Sequence, residues 1–212
     1  MNIMNITYQK NIILITSAIN IESIFSPEER LLQTIQTINS LKKISNSYLI
    51  LLEGSNLNKA QLSLLSSIVN KIVLFDSNFV LLDKSFGEAY MLYQMTNQLI
   101  SENIQFDRLY KISGRYYLTD NFIEFGSNTK IQARGCVDKK ITGVITTVMY
   151  SVPAILLNEY NQALGSSLHG LYNRKYSNIE HALYDILTQK DILQIIEKIN
   201  VEGRCYSTLW SG

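Results

Sequence analysis

Short β-branched apolar runs alternate along the chain with segments whose apolar residues recur at helical spacing. The run over 11–17 contains four consecutive apolar residues, three of them β-branched, as expected for a strand that is covered on both faces of a parallel sheet. Because strands that alternate with helices are typical of stacked βαβ units, the pattern predicts a single α/β domain. Its central sheet is expected to be mostly parallel (mixed) and flanked by helices. The other predicted strands span 48–52, 71–75, 108–112, 130–133 and 143–152.

The first predicted helix carries a clear start signal. Ser26 caps the helix, Pro27 takes the first helical position, and Glu29 completes a capping box. One face of this helix is predicted to pack on the sheet through residues at helical spacing, namely Leu31, Leu32, Ile35, Ile38 and Leu41. The other predicted helices span 58–69, 85–102, 120–125, 154–164 and 179–187, the last with a weaker continuation to 199.

Composition and charge limit the kinds of partner. The 212 residues suit one ordinary domain, and a net charge of +1 provides no electrostatic basis for binding nucleic acid. Cys136 and Cys205 have neither metal nor redox spacing, which favours a reduced, cytoplasmic setting. The N-terminal residues do not form a secretion signal, and the uncharged 141–157 segment is interpreted as a strand that runs into a helix. We therefore expect no transmembrane segment.

Polar residues stand at the carboxyl ends of the predicted strands, where open α/β sheets bind their ligands. Their hydroxyl, carboxylate and guanidinium groups suit hydrogen bonds to a base, a ribose or a sugar. Polar turn residues also follow strands for purely structural reasons, so this explanation stays open for each position. The residues concerned are Thr16, Ser17, Glu53, Asp76, Ser113, Gly114 and Arg115.

Two segments add groups that suit an anion. Lys84 and Gly87 open the longest predicted helix, where the N-terminus favours negative charge and a glycine lets a ligand approach the backbone. Arg115 offers a planar fork of donors for phosphate or for neighbouring sugar oxygens, and Gly114 beside it interrupts an apolar stretch. The alternatives are a loop lysine, a glycine at a helix start, and an arginine in an internal salt bridge.

Several common sites are excluded by motifs that the sequence lacks. There is no G-x-x-x-x-G-K-[ST] phosphate loop, no G-x-G-x-x-G after the first strand, and no G-x-S-x-G elbow. His169 and His181 are the only histidines, and neither has a carboxylate or cysteine at zinc spacing. A nucleotide-binding kinase, a dinucleotide enzyme and a histidine-based metal site are therefore not expected.

The ordered motifs resemble the nucleotide-binding part of GT-A glycosyltransferases, over residues 11 to about 187. Within that family the chain is similar to glycan-building transferases of bacteria and large DNA viruses, including the chlorella-virus type. The resemblance implies one GT-A-like domain with a nucleotide-binding half over about 1–118 and an acceptor-side half over about 119–212, and we expect it to be excised from a longer chain. The motifs are Lys84-Ser-Phe-Gly-Glu-Ala89, Tyr110-Lys-Ile-Ser-Gly-Arg-Tyr116, Thr147-Val-Met-Tyr-Ser-Val-Pro153 and Ile179-Glu-His-Ala-Leu-Tyr184.

The resemblance implies transfer of a hexose-type sugar from a nucleotide donor, with UDP expected from the family, to an oligosaccharide or glycan acceptor. If the protein is viral, this chemistry takes place in the host cytoplasm. By analogy with the family, the expected donor contacts are Thr16, Ser17 and Glu53 for the nucleoside, Lys84 and Arg115 for the diphosphate, and Ser113 or Tyr116 for the sugar.

A carboxylate is also expected on the acceptor side, and Glu180 is the candidate. It lies in the first turn of a helix capped by Asn178, where the helix dipole alone would favour a carboxylate. In an inverting enzyme it would be the general base, and in a retaining one it would orient the acceptor or stabilise the oxocarbenium-like state. Arg115 is the second predicted catalytic residue. His169, in a predicted loop over 165–170, is a candidate phosphate contact, with a surface histidine as the alternative.

The family normally carries Asp-x-Asp after the fourth strand, where the carboxylates hold Mn²⁺ or Mg²⁺ against the donor diphosphate. This sequence contains no Asp-x-Asp, and Ser113-Gly114-Arg115 stands in its place. Either Arg115 and Lys84 neutralise the diphosphate themselves, or a metal is held by one carboxylate, phosphate oxygens and water. Asp76 is a candidate ligand, although it lies one strand earlier than usual.

Two other functions stay open on sequence. A sugar nucleotidyltransferase needs a glycine-rich basic loop after the first strand, and residues 16–24 contain neither glycine nor a basic residue. A non-catalytic sugar- or protein-binding module on the same scaffold would explain the missing Asp-x-Asp. The residues over 201–212 are expected to cover the acceptor site or to lead into a further domain.

Overall fold

The computed structural model describes residues 9–80, 83–135, 143–205 and 208–211. Its strands are β1 (Gln9–Ser17), β2 (Ser47–Glu53), β3 (Lys71–Leu74), β4 (Phe106–Ser113), β5 (Tyr116–Leu118), β6 (Ile131–Gly135), β7 (Ile145–Pro153), β8 (Leu193–Ile196), β9 (Val201–Cys205) and β10 (Thr208–Ser211). Its helices are α1 (Pro27–Ser40), α2 (Lys59–Ser66), α3 (Ser77–Val80), α4 (Lys84–Ser101), α5 (Leu157–Tyr172) and α6 (Ile179–Gln189), with 3₁₀ turns at Leu41–Lys43 and Ala154–Leu156. None of the described helices combines the length and the apolarity needed to cross a membrane.

The main sheet has seven strands in the order β3-β2-β1-β4-β7-β6-β8, and a second sheet has the order β10-β9-β5. Strand β1 pairs in parallel with β2 on one side and with β4 on the other, whereas β7 runs antiparallel to both of its neighbours. The predicted α/β domain with a mostly parallel, mixed sheet is therefore confirmed. Because the chain adds β2 and β3 on one side of β1 and then crosses to β4, a topological switch point lies between β1 and β4. Ligands bind at such points in open α/β sheets.

Burial of β1 on both faces explains its central run of four apolar residues, 12–15. Ile12 and Leu14 are fully buried in a core with α4, α5 and α6, and Ile13 and Ile15 are fully buried in a core with α1 on the opposite face. Burying each side chain of this size contributes about 1.5–3 kcal/mol, so the centre of the sheet is held firmly. The polar residues that follow β1 and β4 are consequently presented from a rigid base.

Helix α1 begins as the sequence predicts. The hydroxyl of Ser26 accepts a hydrogen bond of 3.2 Å from the backbone N–H of Glu29, and the Glu29 carboxylate accepts one of 2.8 Å from the N–H of Ser26. Ile38 and Leu41 of the predicted apolar face are buried, but Leu32 is 66 % exposed, so its assignment to that face is wrong.

Three other predictions are corrected. Residues 120–125 form a turn and extended chain instead of a helix, because Phe125 packs in the core against Tyr110, with ring centroids 5.8 Å apart. The predicted helical continuation to residue 199 is instead strand β8, which pairs in parallel with β6. The helical segment ends before Asp191, which has a positive φ. Helix α5 extends beyond the predicted 154–164, so that His169 lies in a helix and not in a loop. In the second sheet β9 pairs with β5 and β10 pairs with β9, whereas Cys136 and residues 206–207 lie outside the described residues.

Candidate functional site

A cavity of about 630 Å³ opens at the switch point, between the carboxyl ends of β1 and β4. Its other walls come from the loop after β1, the start of α4, the first half of β7 and the start of α6. The loop contributes Ile21, Ile24 and Phe25, so one wall is apolar, whereas the strand ends contribute hydroxyl groups. The cavity therefore presents both apolar surface and hydrogen-bonding groups at the position where this architecture binds ligands.

Eight of the twelve residues singled out from the sequence line this cavity. They come from β1, from the end of β4 with the turn and the start of β5 that follow it, and from α4 and α6. The polar ends of β1 and β4 thus lie together at this cavity, whereas the role of each residue stays a prediction. The eight are Thr16, Ser17, Lys84, Ser113, Gly114, Arg115, Tyr116 and Glu180.

Glu53 lies directly behind the cavity wall, with none of its surface exposed. Its carboxylate accepts hydrogen bonds from the backbone N–H groups of Ile19 and Ser55, at 2.9 and 3.0 Å, and from the hydroxyls of Ser17 and Ser55. Burial raises the pKa of the Glu53 carboxyl, and these hydrogen bonds oppose that effect. Glu53 in this position holds the loop after β1 in place and has no surface with which to contact a ligand.

Three further predicted residues lie outside the cavity. Asp76 is exposed and its Oδ1 accepts a 2.9 Å hydrogen bond from the N–H of Asn78 at the start of α3. His169 is exposed on α5, with Nε2 3.0 Å from Nδ2 of Asn173. Gly87 is buried, and a Cβ at this position would lie 2.1 Å from the carbonyl oxygen of Val80. That glycine is explained by the close approach of the α3 end to α4.

Gly114 is also closely packed. Its N–H donates a 2.9 Å hydrogen bond to the carbonyl oxygen of Thr16, and a Cβ at this position would lie 3.1 Å from Cβ of Ser17 and 3.2 Å from Oγ1 of Thr34. The turn after β4 is thereby held tightly against the end of β1. This contact fixes the backbone from which Arg115 extends.

Arg30 is a cavity residue that sequence reasoning missed. It lies near the N-terminus of α1, where its Nε donates to Oγ of Ser23 at 2.9 Å and its Nη1 donates to the carbonyl oxygen of Ala18 at 3.1 Å. Burial lowers the pKa of Arg30, and the nearby positive charge of Arg115 lowers it further. A signal was present in the sequence, because Arg30 lies in the first turn of a predicted helix, where the helix dipole disfavours a basic residue.

Three basic side chains consequently face one cavity. Lys84 opens α4 and is exposed, whereas Arg115 is half-buried with its guanidinium carbon 5.8 Å from the ring centroid of Tyr116. Among the described residues, none of Arg30, Lys84 and Arg115 forms an ion pair with a carboxylate. The predicted alternative of an internal salt bridge for Arg115 is therefore not found in that part of the chain. Positive charge without paired carboxylates favours an anionic ligand.

The two carboxylates of the cavity belong to Glu88 and Glu180, and both are held by neighbours. Lys111, which is fully buried in β4, forms an ion pair with Glu88 and donates a hydrogen bond to the carbonyl oxygen of Thr147. The hydroxyl of Thr147 in turn donates a 2.9 Å hydrogen bond to Oε1 of Glu180. Burial lowers the pKa of Lys111, and the Glu88 carboxylate opposes this effect. A lysine between the buried residues Tyr110 and Ile112 was the sequence signal for a buried partner.

The donor set of the cavity does not suit a divalent metal ion. Mn²⁺ and Mg²⁺ take several oxygen ligands, but of the two lining carboxylates Glu88 is already neutralised by Lys111. The described residues contain no group of three or more His, Cys, Asp or Glu side chains that could hold a metal. Asp76, the candidate ligand on sequence, is not among the residues that line the cavity.

Comparisons with known proteins add no relative. No protein-family model matches the chain, and no curated protein sequence is significantly similar to it. A function for this chain therefore rests on the chemistry of its cavity and on the short motifs that resemble GT-A glycosyltransferases.

Proposed function

We propose that this protein is a glycosyltransferase that takes a hexose-type sugar from a nucleotide donor, with UDP as the expected nucleotide, and transfers it to a glycan acceptor. The observation that carries the proposal is the cavity at the β1–β4 switch point, where three basic side chains and the Glu180 carboxylate face one space. A nucleotide-sugar needs such a combination, because it carries a charged diphosphate between two groups rich in hydroxyls.

The size and chemistry of the cavity support a donor of this class. Its volume of about 630 Å³ is typical of small-molecule sites, which span about 300–1,000 Å³. Arg30, Lys84 and Arg115 supply positive charge for the diphosphate, and guanidinium groups in particular can donate two parallel hydrogen bonds to phosphate oxygens. Thr16 and Ser113 supply polar groups for the nucleoside or the sugar.

In the proposed reaction, the bond between the anomeric carbon and the diphosphate oxygen breaks, and a bond forms between that carbon and an acceptor hydroxyl oxygen. Negative charge grows on the departing diphosphate, where the basic side chains stabilise it. If the configuration inverts, Glu180 accepts the proton of the acceptor hydroxyl. If it is retained, Glu180 orients the acceptor and the departing diphosphate oxygen takes that proton. Holding donor and acceptor side by side supplies much of the remaining rate enhancement.

One observation favours a second candidate function, a non-catalytic sugar-binding module. Both carboxylates of the cavity are engaged by other side chains, Glu88 by Lys111 and Glu180 by Thr147. A module of this kind would bind the same nucleotide or sugar without releasing a product. Product release therefore distinguishes the two functions, and binding alone does not.

The first test is a thermal-shift panel with UDP, GDP, CMP and several UDP-sugars, each with and without Mn²⁺. A ligand at one hundred times its dissociation constant adds about 2.7 kcal/mol of stability, which is easily read. We expect one nucleotide family to stabilise the protein, and we expect Arg115→Ala to abolish the shift. The matched control is Lys42→Ala, which removes an exposed positive charge from the 3₁₀ turn at the far end of α1.

The second test measures the release of free nucleotide from the donor that binds. Release that increases with a glycan acceptor supports the transferase, and binding without release with any donor or acceptor supports the module. Failure of every nucleotide and nucleotide-sugar to stabilise the protein would overturn the donor-site assignment itself.

A further inference from the structure

The basic side chains of the cavity are arranged as an anion site in their own right. Arg30 and Arg115 come from different elements, α1 and the turn after β4, yet they lie near enough for the charge of Arg115 to lower the pKa of Arg30. Two guanidinium groups this close repel each other. In the described residues no carboxylate is ion-paired with either of them, so a bound anion would relieve that repulsion.

Arg30 is also held in place before any ligand binds. Its Nε and Nη1 donate to Ser23 and to the carbonyl oxygen of Ala18, both in the loop that lines the cavity. Its Nη2 has no hydrogen-bond partner within the described part of the chain and stays available. A fixed planar fork loses less conformational entropy on binding a phosphate than a flexible lysine does.

The carboxylates that a metal ion would need already interact with other side chains of the protein. Glu88 is the partner of Lys111, whose ammonium is fully buried and cannot move into water. A metal ion bound to Glu88 would leave that ammonium without its counter-charge, which is strongly unfavourable. Glu180 offers one further carboxylate, which already accepts the hydroxyl hydrogen bond of Thr147.

We propose that the cavity holds the diphosphate of its donor through Arg30, Lys84 and Arg115 alone, and that no divalent metal ion takes part in binding it. This inference rests on the proposed function and goes beyond it, because a donor site of this family is expected to use Mn²⁺ or Mg²⁺. The positive side chains replace the metal as the counter-charge of the diphosphate. The missing Asp-x-Asp of the sequence then has a direct physical explanation.

The test is isothermal titration calorimetry at physiological salt with UDP and with inorganic pyrophosphate as a probe that lacks the nucleoside. Each titration is run in EDTA and again with Mn²⁺ or Mg²⁺. We expect the dissociation constants in EDTA and in metal to agree within about threefold. Arg30→Ala and Lys84→Ala should each weaken binding by about 10- to 100-fold, the loss expected for hydrogen bonds to a charged group. Lys42→Ala should leave binding unchanged.

Lys84→Ala distinguishes loss of binding from loss of folding, because this side chain is exposed and its removal leaves the packing of the core unchanged. Binding of UDP that disappears in EDTA and returns with metal would overturn the inference and leave the proposed function standing. The inference fails in the same way if neither Arg30→Ala nor Lys84→Ala weakens binding in EDTA. If neither UDP nor pyrophosphate, nor any UDP-sugar, binds under either condition, the inference and the proposed donor site both fail.

Discussion

The hydroxyl of Thr147 donates a hydrogen bond of 2.9 Å to Oε1 of Glu180, the carboxylate expected on the acceptor side of the cavity. The backbone of Thr147 is itself held in place, because its carbonyl oxygen accepts a hydrogen bond from the buried ammonium of Lys111. Strand β4, strand β7 and helix α6 are thereby connected through three side chains. A substitution at Thr147 consequently tests the orientation of Glu180 without changing the charge of the cavity.

Thr147→Val should lower the rate of sugar transfer by about 10- to 100-fold, as expected for the loss of one hydrogen bond to a charged group. The affinity for UDP should stay the same, because the three basic residues are untouched. Thr147→Ser keeps the hydroxyl and should retain most of the rate. The measurements are turnover and nucleotide affinity for both variants, with a melting curve for each. Equal rates for the two variants would show that the hydrogen bond does not position Glu180.

Lys111→Met should destabilise the fold strongly, because it removes the partner of the Glu88 carboxylate, whose side chain is only 12 % exposed. Breaking a buried ion pair in this way costs about 3–5 kcal/mol. Lys42→Met, at an exposed position, should change the free energy of unfolding by less than about 0.5 kcal/mol. The double variant Lys111→Met with Glu88→Gln should recover part of the loss, as measured by urea denaturation. A loss below about 1 kcal/mol for Lys111→Met would contradict a buried, essential pair.

The buried carboxyl of Glu53 should make stability depend on pH. Burial raises the pKa of Glu53, so the folded protein keeps this proton at a pH where the unfolded chain has released it. The stability that the protonated form contributes is therefore lost as the pH rises through the folded pKa. Glu53→Gln mimics the protonated form and lacks this loss.

We expect the free energy of unfolding of Glu53→Gln, relative to that of the unsubstituted protein, to increase as the pH rises above the ordinary glutamic acid value of 4.5. Urea denaturation of both proteins between about pH 4.5 and pH 8 measures this difference, and other titrating groups largely cancel in it. A difference that is flat with pH, or that moves towards the unsubstituted protein, would contradict the raised pKa of Glu53.

Sequence patterns correctly predicted those parts of the fold that depend on residues close together in the chain. The apolar run over 11–17 is buried on both faces of the sheet, and the capping box of Ser26 and Glu29 forms as expected. The polar ends of β1 and β4 meet in one cavity, because neighbouring parallel strands present their carboxyl ends at the same edge of the sheet. These features depend on neighbouring residues and on a general rule of sheet topology.

The features that the sequence did not predict depend on contacts between distant elements. Phe122 and Phe125 stand three residues apart, as in a helix, but Phe125 packs on Tyr110 and the segment is extended. Arg30 enters the cavity only because the loop after β1 folds back onto α1. The ion pair of Lys111 with Glu88 joins β4 to α4, and no spacing in the sequence indicates which carboxylate a buried lysine will find.

Gly87, in the first turn of α4, could serve either the packing of α3 on α4 or contact with a ligand, and substitution by alanine distinguishes the two roles. Helix propensity alone would favour alanine here by about 1 kcal/mol. However, the new Cβ would lie 2.1 Å from the carbonyl oxygen of Val80, a backbone atom that cannot move aside freely. Gly87→Ala should therefore lower the free energy of unfolding by about 1–3 kcal/mol, the usual cost of overpacking. Gly126→Ala is the matched control, because its Cβ would meet no atom within 4 Å, and it should be neutral or stabilise by about 0.4–1 kcal/mol. If Gly87→Ala instead keeps full stability but loses affinity for UDP, this glycine serves close approach of the ligand to α4 and not the packing of α3.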